Sequence, residues 1–195
     1  MIADLLPMIL GMPGGLNRWR RLVQLKRSAS GAHQLESMAG IGDNGARAVA
    51  DVVEGRVLAA VEVMATPEQV FHSLTSANIT QWWVRPGVFD TREWAGDLRV
   101  GGRWRASGVT RGQPYVQEGE FLELERPSKL VHTWDSPSGT PSIVTYVVEQ
   151  LDGRTRLTLR HVGFTSREMC VAFAIGWETS LERLAEIFRP EFARS

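Results

Sequence analysis

The spacing of hydrophobic positions changes along the chain from strand-like to helical. Arg56–Val63 holds mostly small and β-branched residues, which are typical of a buried strand. Thr66, Pro67 and Gln69 follow with the arrangement of a capping box and a proline at the first helical position. One apolar face then continues through Val70, Phe71, Leu74 and Ala77. A strand and a short amphipathic helix are therefore predicted.

The middle of the chain, from Val88 to His161, is interrupted by turn residues at roughly ten-residue intervals, which favours an antiparallel meander. Strict alternation cannot place Phe121 and Leu124 on one face, so we expect a bulge near Leu122 and Glu123 that bends the sheet. The predicted strands are Arg103–Val109, Tyr115–Glu125, Leu130–Asp135, Ser142–Gln150 and Thr155–His161.

The last predicted element is a long amphipathic helix that stops at Pro190. A terminal helix laid across a curved antiparallel sheet buries its apolar face and can leave a cavity between helix and sheet. This predicts an α+β fold of the helix-grip (START/Bet v 1-like) type, a curved antiparallel β-sheet wrapped around a long C-terminal helix. The helical face is formed by Cys170, Phe173, Ala174, Trp177, Leu181, Leu184, Ala185 and Phe188.

The amino-acid composition argues against some classes of binding partner. The 22 acidic and 22 basic residues balance, so the strong positive field that favours nucleic acid or an anionic membrane is absent. Cys170 is the only cysteine, which excludes an intramolecular disulfide and suits a reducing compartment, so we expect a cytoplasmic protein. The apolar stretch Ile2–Met12 is too short and too interrupted for a transmembrane segment.

The first 53 residues differ from the rest, so the chain is divided into a flexible N-terminal extension, 1–53, and one domain, 54–190. Leu16–Arg27 fits a basic amphipathic helix for a membrane surface or a partner. The same residues also fit a disordered extension, or leader residues upstream of a start at Met38.

The order of several short motifs resembles the SRPBCC (START-like) superfamily, and within it the family of activator of Hsp90 ATPase homologue 1-like domains. The motifs are Ala65–Phe71, Trp82–Trp83, Asp97–Trp104, Gly119–Leu124, Leu130–Trp134, Thr155–Leu159 and Gly176–Trp177. The resemblance runs from about Val57 to Phe188. It implies a hollow fold that binds small molecules, without naming the ligand.

Three functions follow from this resemblance as hypotheses. The first is binding of a small hydrophobic or aromatic molecule, with a homodimer left open. The second is an enzyme of the polyketide cyclase or dehydratase kind, with His161 or Glu118 as acid or base. The third is a protein-interaction module similar to the Hsp90 co-chaperones. Binding is the leading hypothesis, because the sequence displays no catalytic constellation and we assign no catalytic residue.

Aromatic residues are the main candidates for a binding site, since amphipathic rings often line pockets for flat molecules. His161 shares the inward face of its strand with Leu157 and Leu159, where it either contacts a ligand or is satisfied by backbone or water. His132 has the same alternatives. The predicted ligand-binding residues are Trp82, Trp104, Tyr115, Trp134, His161, Phe164 and Trp177.

No metal site and no cofactor are expected. The histidines lack metal-ligand spacing, and no glycine-rich phosphate loop of the Walker or Rossmann type follows a strand, which argues against ATP and NAD. Cys170 lies on the apolar face of the last helix, where we expect a buried, unreactive thiol.

Overall fold

The computed structural model describes residues 45–85, 87–135 and 141–189. The expected flexibility of residues 1–44 lies outside these ranges. The elements, in chain order, are β1 Arg47–Asp51, β2 Arg56–Val63, α1 Pro67–Leu74, α2 Ile79–Trp82, β3 Val84–Arg85, β4 Phe89–Gly96, β5 Arg103–Thr110, β6 Gln113–Glu125, β7 Lys129–Trp134, β8 Ser142–Leu151, β9 Arg154–Val162 and α3 Arg167–Ile187.

The strands form one antiparallel sheet in the order β1-β2-β9-β8-β7-β6-β5-β4-β3. Strands β3 to β9 follow one another as a meander, and β9 then pairs with β2 along the whole length of β2. The pairing of β6 with β7 shifts register between Phe121 and Glu123, which confirms the predicted bulge. This curved sheet with a long C-terminal helix is the helix-grip fold expected from the sequence.

Three strands were not predicted, and each has a weak strand signal. β1 has alanines at its buried positions, Ala48 and Ala50, and alanine has low strand propensity. β3 is only two residues long, and β4 contains the charged residues Asp90, Arg92 and Glu93. Because β1 pairs with β2 throughout, the sheet begins within residues 1–53, upstream of the domain boundary expected at residue 54.

The two longer helices begin at the residues that local chemistry favours. Thr66 caps α1 through its hydroxyl, which accepts from the Gln69 amide at 3.3 Å, while the Gln69 side chain accepts from the Thr66 amide at 2.9 Å. Ser166 caps α3 in the same way by accepting from the Met169 amide. Helix α3 lies against β1 and β2, and α2 lies against α3 and β4.

The turn before β5 shows why two glycines stand together. Gly101 has a φ of +79°, a conformation that favours glycine. A Cβ on Gly102 would lie 1.9 Å from the carbonyl oxygen of Asp97, so no other residue fits there without moving the backbone. The pair therefore fixes the entry of β5 into the sheet and with it the position of Trp104.

The core between the sheet and α3 has two parts. The aliphatic region consists of fully or almost fully buried aliphatic residues of β2, β9 and α3, namely Ala59, Val61, Leu157, Leu159, Leu181 and Leu184. The other part is rich in aromatic residues and is described below. Across the part of the chain that the structure describes, no helix is both long enough and apolar enough to cross a bilayer.

Candidate functional site

A small cavity of about 20 Å³ lies where α1, α2 and α3 face the inner side of β4 to β8. This volume is enough for about one water molecule. The described residues that line it are Leu74, Ile79, Trp82, Trp83, Trp94, Trp104, Phe121, His132, Trp134, Tyr146 and Trp177. No described lining residue is a lysine, an arginine, an aspartate or a glutamate, so the wall is uncharged unless a histidine is protonated.

Trp83 lies in the middle of the indole side chains. Its ring centroid is 5.0 Å from that of Trp134 and 6.4 Å from that of Trp104. Its ring stacks on Trp177 at 6.5 Å with an interplanar angle of 11°. These separations are those of favourable aromatic pairs. Trp83 is half-buried, whereas the other three indoles are buried, so it is the most exposed ring of this group.

Three of the buried indoles have a partner for their N–H group. Trp82 donates to the carbonyl oxygen of Ser73 at 2.9 Å, and Trp104 donates to that of Thr133 at 3.2 Å. Trp177 donates to Nδ1 of His161 at 3.1 Å. Nε1 of Trp134 is the exception: among the described residues it is the one side-chain nitrogen or oxygen that is completely shielded from solvent and has no hydrogen-bond partner.

His161 holds Trp177 in place and is itself fully satisfied. Because an indole N–H only donates, Nδ1 of His161 accepts from Trp177, and the imidazole proton therefore resides on Nε2. Nε2 donates to the Ser142 hydroxyl at 2.8 Å, which in turn donates to the carbonyl oxygen of Trp134 at 3.4 Å. Burial holds the pKa of His161 well below its usual value, and the neighbouring His132 adds to the shift.

His132 faces the cavity as a neutral imidazole. Its Nδ1 lies 2.9 Å from the carbonyl oxygen of Thr133, so Nδ1 carries the proton and Nε2 keeps its lone pair. Burial lowers the pKa of His132 to about 4, and the hydrogen bond to Thr133 offsets only part of that shift. The nearby Tyr146 hydroxyl has a pKa raised by burial. No hydrogen bond between described residues uses that hydroxyl or Nε2 of His132.

The structure brings four of the predicted site residues together at the cavity: Trp82, Trp104, Trp134 and Trp177. His161 and Phe164 lie behind them, with ring centroids 4.6 Å apart, and are not part of the lining. Tyr115 is not at the cavity either, because it lies near the start of β6, where its hydroxyl pairs with that of Thr91. Whether any of these side chains contacts a ligand stays a prediction.

Sequence reasoning left several lining residues out of the predicted site. Alternation along β7 places His132 on the same face as Leu130 and Trp134, so a pocket assigned to Trp134 could have included it. Phe121 is the cross-strand neighbour of His132, but this pairing depends on the register shift at the bulge. The lining residues not predicted are Leu74, Ile79, Trp83, Trp94, Phe121, His132 and Tyr146.

The side chains at the cavity are suited to hydrogen bonding and stacking. His132 and Tyr146 are neutral at neutral pH, and the indoles offer flat apolar surface. Within the described ranges, no group of three or more histidine, cysteine, aspartate or glutamate side chains is placed to hold a metal ion. Burial raises the pKa of the Cys170 thiol to about 11, so the thiol stays protonated at neutral pH.

The sequence of the chain matches a family described as Activator of Hsp90 ATPase homolog 1-like protein, over residues 64–189. This match covers more than half of the chain. The chain belongs to this family. The matched range runs from the residue after β2 through α3, so the family domain contains every described side chain that lines the cavity. Among curated proteins, none matches the chain.

Solved structures share the fold of this family member. Protein CV1439 from Chromobacterium violaceum is 23% identical, with a TM-score of 0.61, and the alignment covers 70% of this chain and 98% of that chain. Protein Ms6760 from Mycobacterium smegmatis is 17% identical, with a TM-score of 0.60 and coverage of 72% and 94%. CalU16 from Micromonospora echinospora is 24% identical, with a TM-score of 0.51 and coverage of 78% and 88%. At these identities the likeness concerns the fold.

Proposed function

We propose that this protein binds a small, flat, uncharged hydrophobic or aromatic molecule between α3 and the sheet. The observation that carries the proposal is the composition of the cavity wall, which combines six tryptophans with other apolar and aromatic side chains and carries no described charged residue. Burying a charged ligand group there without a partner is strongly unfavourable, whereas flat apolar surface is favoured.

The size of the cavity sets a condition on this function. Pockets for small organic ligands commonly have volumes of about 300 to 1,000 Å³, far above the 20 Å³ found here. A ligand larger than a water molecule therefore enters only when a lining side chain moves. A two-ring aromatic molecule buries roughly 200 Å², which contributes about 5 kcal/mol, so we expect an affinity in the high micromolar range.

The chemistry of the wall favours binding over the cyclase or dehydratase alternative. That alternative needs a group at the cavity that exchanges a proton near neutral pH. His132 and Tyr146 are the described lining residues with titratable protons, and burial moves the pKa of each away from neutrality, in opposite directions. His161, the acid or base considered from the sequence, uses both ring nitrogens to hold Trp177 and Ser142.

The same observations favour binding over a co-chaperone-like interaction module. An interaction module presents its anchor side chains on the surface. Here the large aromatic side chains turn inward, and Trp82, Trp104, Trp134 and Trp177 are each at most 6% exposed.

The test uses a neutral dye, because a ligand with a high-micromolar dissociation constant does not stay bound through purification. Binding of N-phenyl-1-naphthylamine, an uncharged fluorescent probe, is compared between two variants with the same chemical change. Ile79→Phe adds volume at the cavity wall, and Ile143→Phe adds it at an exposed position on β8.

We expect Ile79→Phe to reduce the dye signal at least about tenfold, because overpacking fills the remaining space, while Ile143→Phe keeps the signal of the wild-type protein. Far-ultraviolet circular dichroism checks that both variants are folded. Equal dye binding by the two variants would place the dye elsewhere and reject this cavity as the site. A wild-type protein that binds no dye would reject the function and favour the interaction module.

A further inference from the structure

The unpartnered N–H group of Trp134 distinguishes this side chain from the other buried indoles of the cavity. Trp82, Trp104 and Trp177 each donate to a protein acceptor, whereas Nε1 of Trp134 donates to none among the described residues, although Trp134 is only 6% exposed. A buried donor without an acceptor is destabilising, so proteins retain few of them without a functional reason. Trp134 itself is one of the residues that line the cavity where we place the ligand.

Trp83 occupies the space that a ligand needs in order to reach Trp134. Among the rings within contact distance of Trp134, that of Trp83 has the shortest centroid separation, 5.0 Å. It lies in a short connection between α2 and β3, outside both elements, and is half-buried. Its ring also stacks on Trp177 and contacts Trp104, which are the contacts that a flat ligand in the same place would make.

We propose that the ligand is a neutral, fused two-ring aromatic molecule with one hydrogen-bond acceptor, which displaces the Trp83 indole from Trp177 and accepts a hydrogen bond from Nε1 of Trp134. This inference rests on the proposed function and deepens it by naming the ligand class. The vacated space has the size of an indole ring. The acceptor satisfies the fully shielded indole donor of Trp134, which has no partner among the described residues, and the uncharged lining requires the ligand to be uncharged.

Quinoline and naphthalene form a matched pair of probes for this proposal. They have nearly the same shape, but only quinoline has a ring nitrogen that accepts a hydrogen bond. Because the two molecules are hydrated differently in water, the informative quantity is the change in the ratio of their dissociation constants when one protein side chain is altered.

Trp134→Phe removes the unpartnered donor and keeps a ring. Trp104→Phe is the matched control, since it makes the same change in the same wall but removes an N–H that already donates to Thr133. Calorimetric titration of the full chain is expected to show that Trp134→Phe weakens the binding of quinoline relative to that of naphthalene by about fivefold, which is the fold-change of one neutral hydrogen bond. Trp104→Phe is expected to leave the ratio unchanged.

Nuclear magnetic resonance of the nitrogen-15-labelled protein supplies a second readout. The indole N–H signal that disappears in Trp134→Phe belongs to Trp134. Quinoline is expected to move this proton signal downfield, whereas naphthalene, which has no acceptor, is expected to produce no downfield shift. An upfield or unchanged signal with bound quinoline would contradict a hydrogen bond from Trp134.

The role of Trp83 is tested separately. Trp83→Ala, with Trp83→Leu as the milder variant, is expected to bind both probes about tenfold more tightly, since the ligand no longer displaces an indole. Unchanged or weaker binding in both variants would overturn the displacement. A ratio unaffected by Trp134→Phe, with both probes bound, would overturn the inference and leave the proposed function intact. If neither probe binds the wild-type protein or the Trp83 variants, the proposed function fails as well.

Discussion

The two parts of the core lie under the same sheet but are built from different kinds of residue. The aliphatic region, formed by Ala59, Val61, Leu157, Leu159, Leu181 and Leu184, is fully buried, and none of these residues has a polar side chain. The aromatic part surrounds a cavity and holds indole, imidazole and phenol groups whose hydrogen-bonding atoms need partners. The indole N–H groups of Trp82, Trp104 and Trp177 have protein acceptors, whereas that of Trp134 has none among the described residues.

This difference separates the part that stabilises the fold from the part that is free to take on a function. Aliphatic side chains have no polar atoms, so their only contribution is burial and close packing. Aromatic side chains with polar atoms contribute directional groups, and an unsatisfied one lowers stability. The protein tolerates such a group on Trp134, one of the residues that line the cavity, and this supports the proposed binding site.

The largest expected effect tests whether the two parts are packed differently. Leu184→Ala, at a fully buried position of α3 in the aliphatic region, is expected to lower the free energy of unfolding by about 3 kcal/mol. Leu74→Ala makes the same change at the cavity wall and is expected to be less destabilising, because that side chain already borders a void. Urea unfolding measures both. Equal losses would show that the cavity wall is packed as tightly as the aliphatic region.

The second largest expected effect is a dependence of the free energy of unfolding on pH, which arises from the aromatic part of the core. The pKa of His132 is lowered from 6.5 to about 4 in the folded protein, so the unfolded chain binds this proton more readily. Above pH 6.5, His132 is neutral in both the folded and the unfolded chain, so its titration does not lower stability. As the pH falls from 6.5 towards 4, the unfolded chain takes up a proton that the folded protein does not, and the free energy of unfolding decreases. At pH 5 the loss is about 2 kcal/mol. His161 contributes with the same sign, since its pKa is also lowered.

Urea unfolding at pH 7.5 and at pH 5.0 checks this expectation. His132→Phe should reduce the pH dependence without abolishing it, because His161 still resists protonation. His72→Phe makes the same change at an exposed position of α1 and should retain the pH dependence of the wild-type protein. A His132→Phe variant as sensitive to pH as the wild-type protein would show that burial of His132 does not control acid stability.

The aliphatic region was the more predictable of the two from sequence. Its positions follow simple periods, since Leu157, Leu159 and His161 alternate along β9 and α3 repeats its apolar residues at helical spacing. The capping box of α1 and the bulge in β6 were also predicted from local residues and are confirmed. Local patterns were sufficient because the spacing of apolar residues within a single helix or strand already indicates which of its faces is buried in the core.

The aromatic part depends on contacts that no local pattern contains. Trp83 meets Trp104, Trp134 and Trp177 only because a short connection returns to the sheet at that point. Whether the N–H group of Trp134 has an acceptor depends on where groups from other elements lie in the folded protein, so the sequence could not reveal it. Tyr115 was grouped with the site as a side chain that could add a polar contact, but it lies near the start of β6, away from the bulge beside Phe121.

The smallest expected effect compares two indoles that differ in hydrogen bonding. Trp177→Phe leaves Nδ1 of His161 buried without a donor, whereas Trp134→Phe removes a donor that has no acceptor. Both changes remove the same ring volume, so the difference in their free energies of unfolding isolates the hydrogen bond. We expect Trp177→Phe to be more destabilising by about 1 to 2 kcal/mol. Equal losses in urea unfolding at pH 7.5 would mean that the Trp134 N–H is as well satisfied in the unliganded protein as that of Trp177, and the argument that reserves it for a ligand would lose its basis.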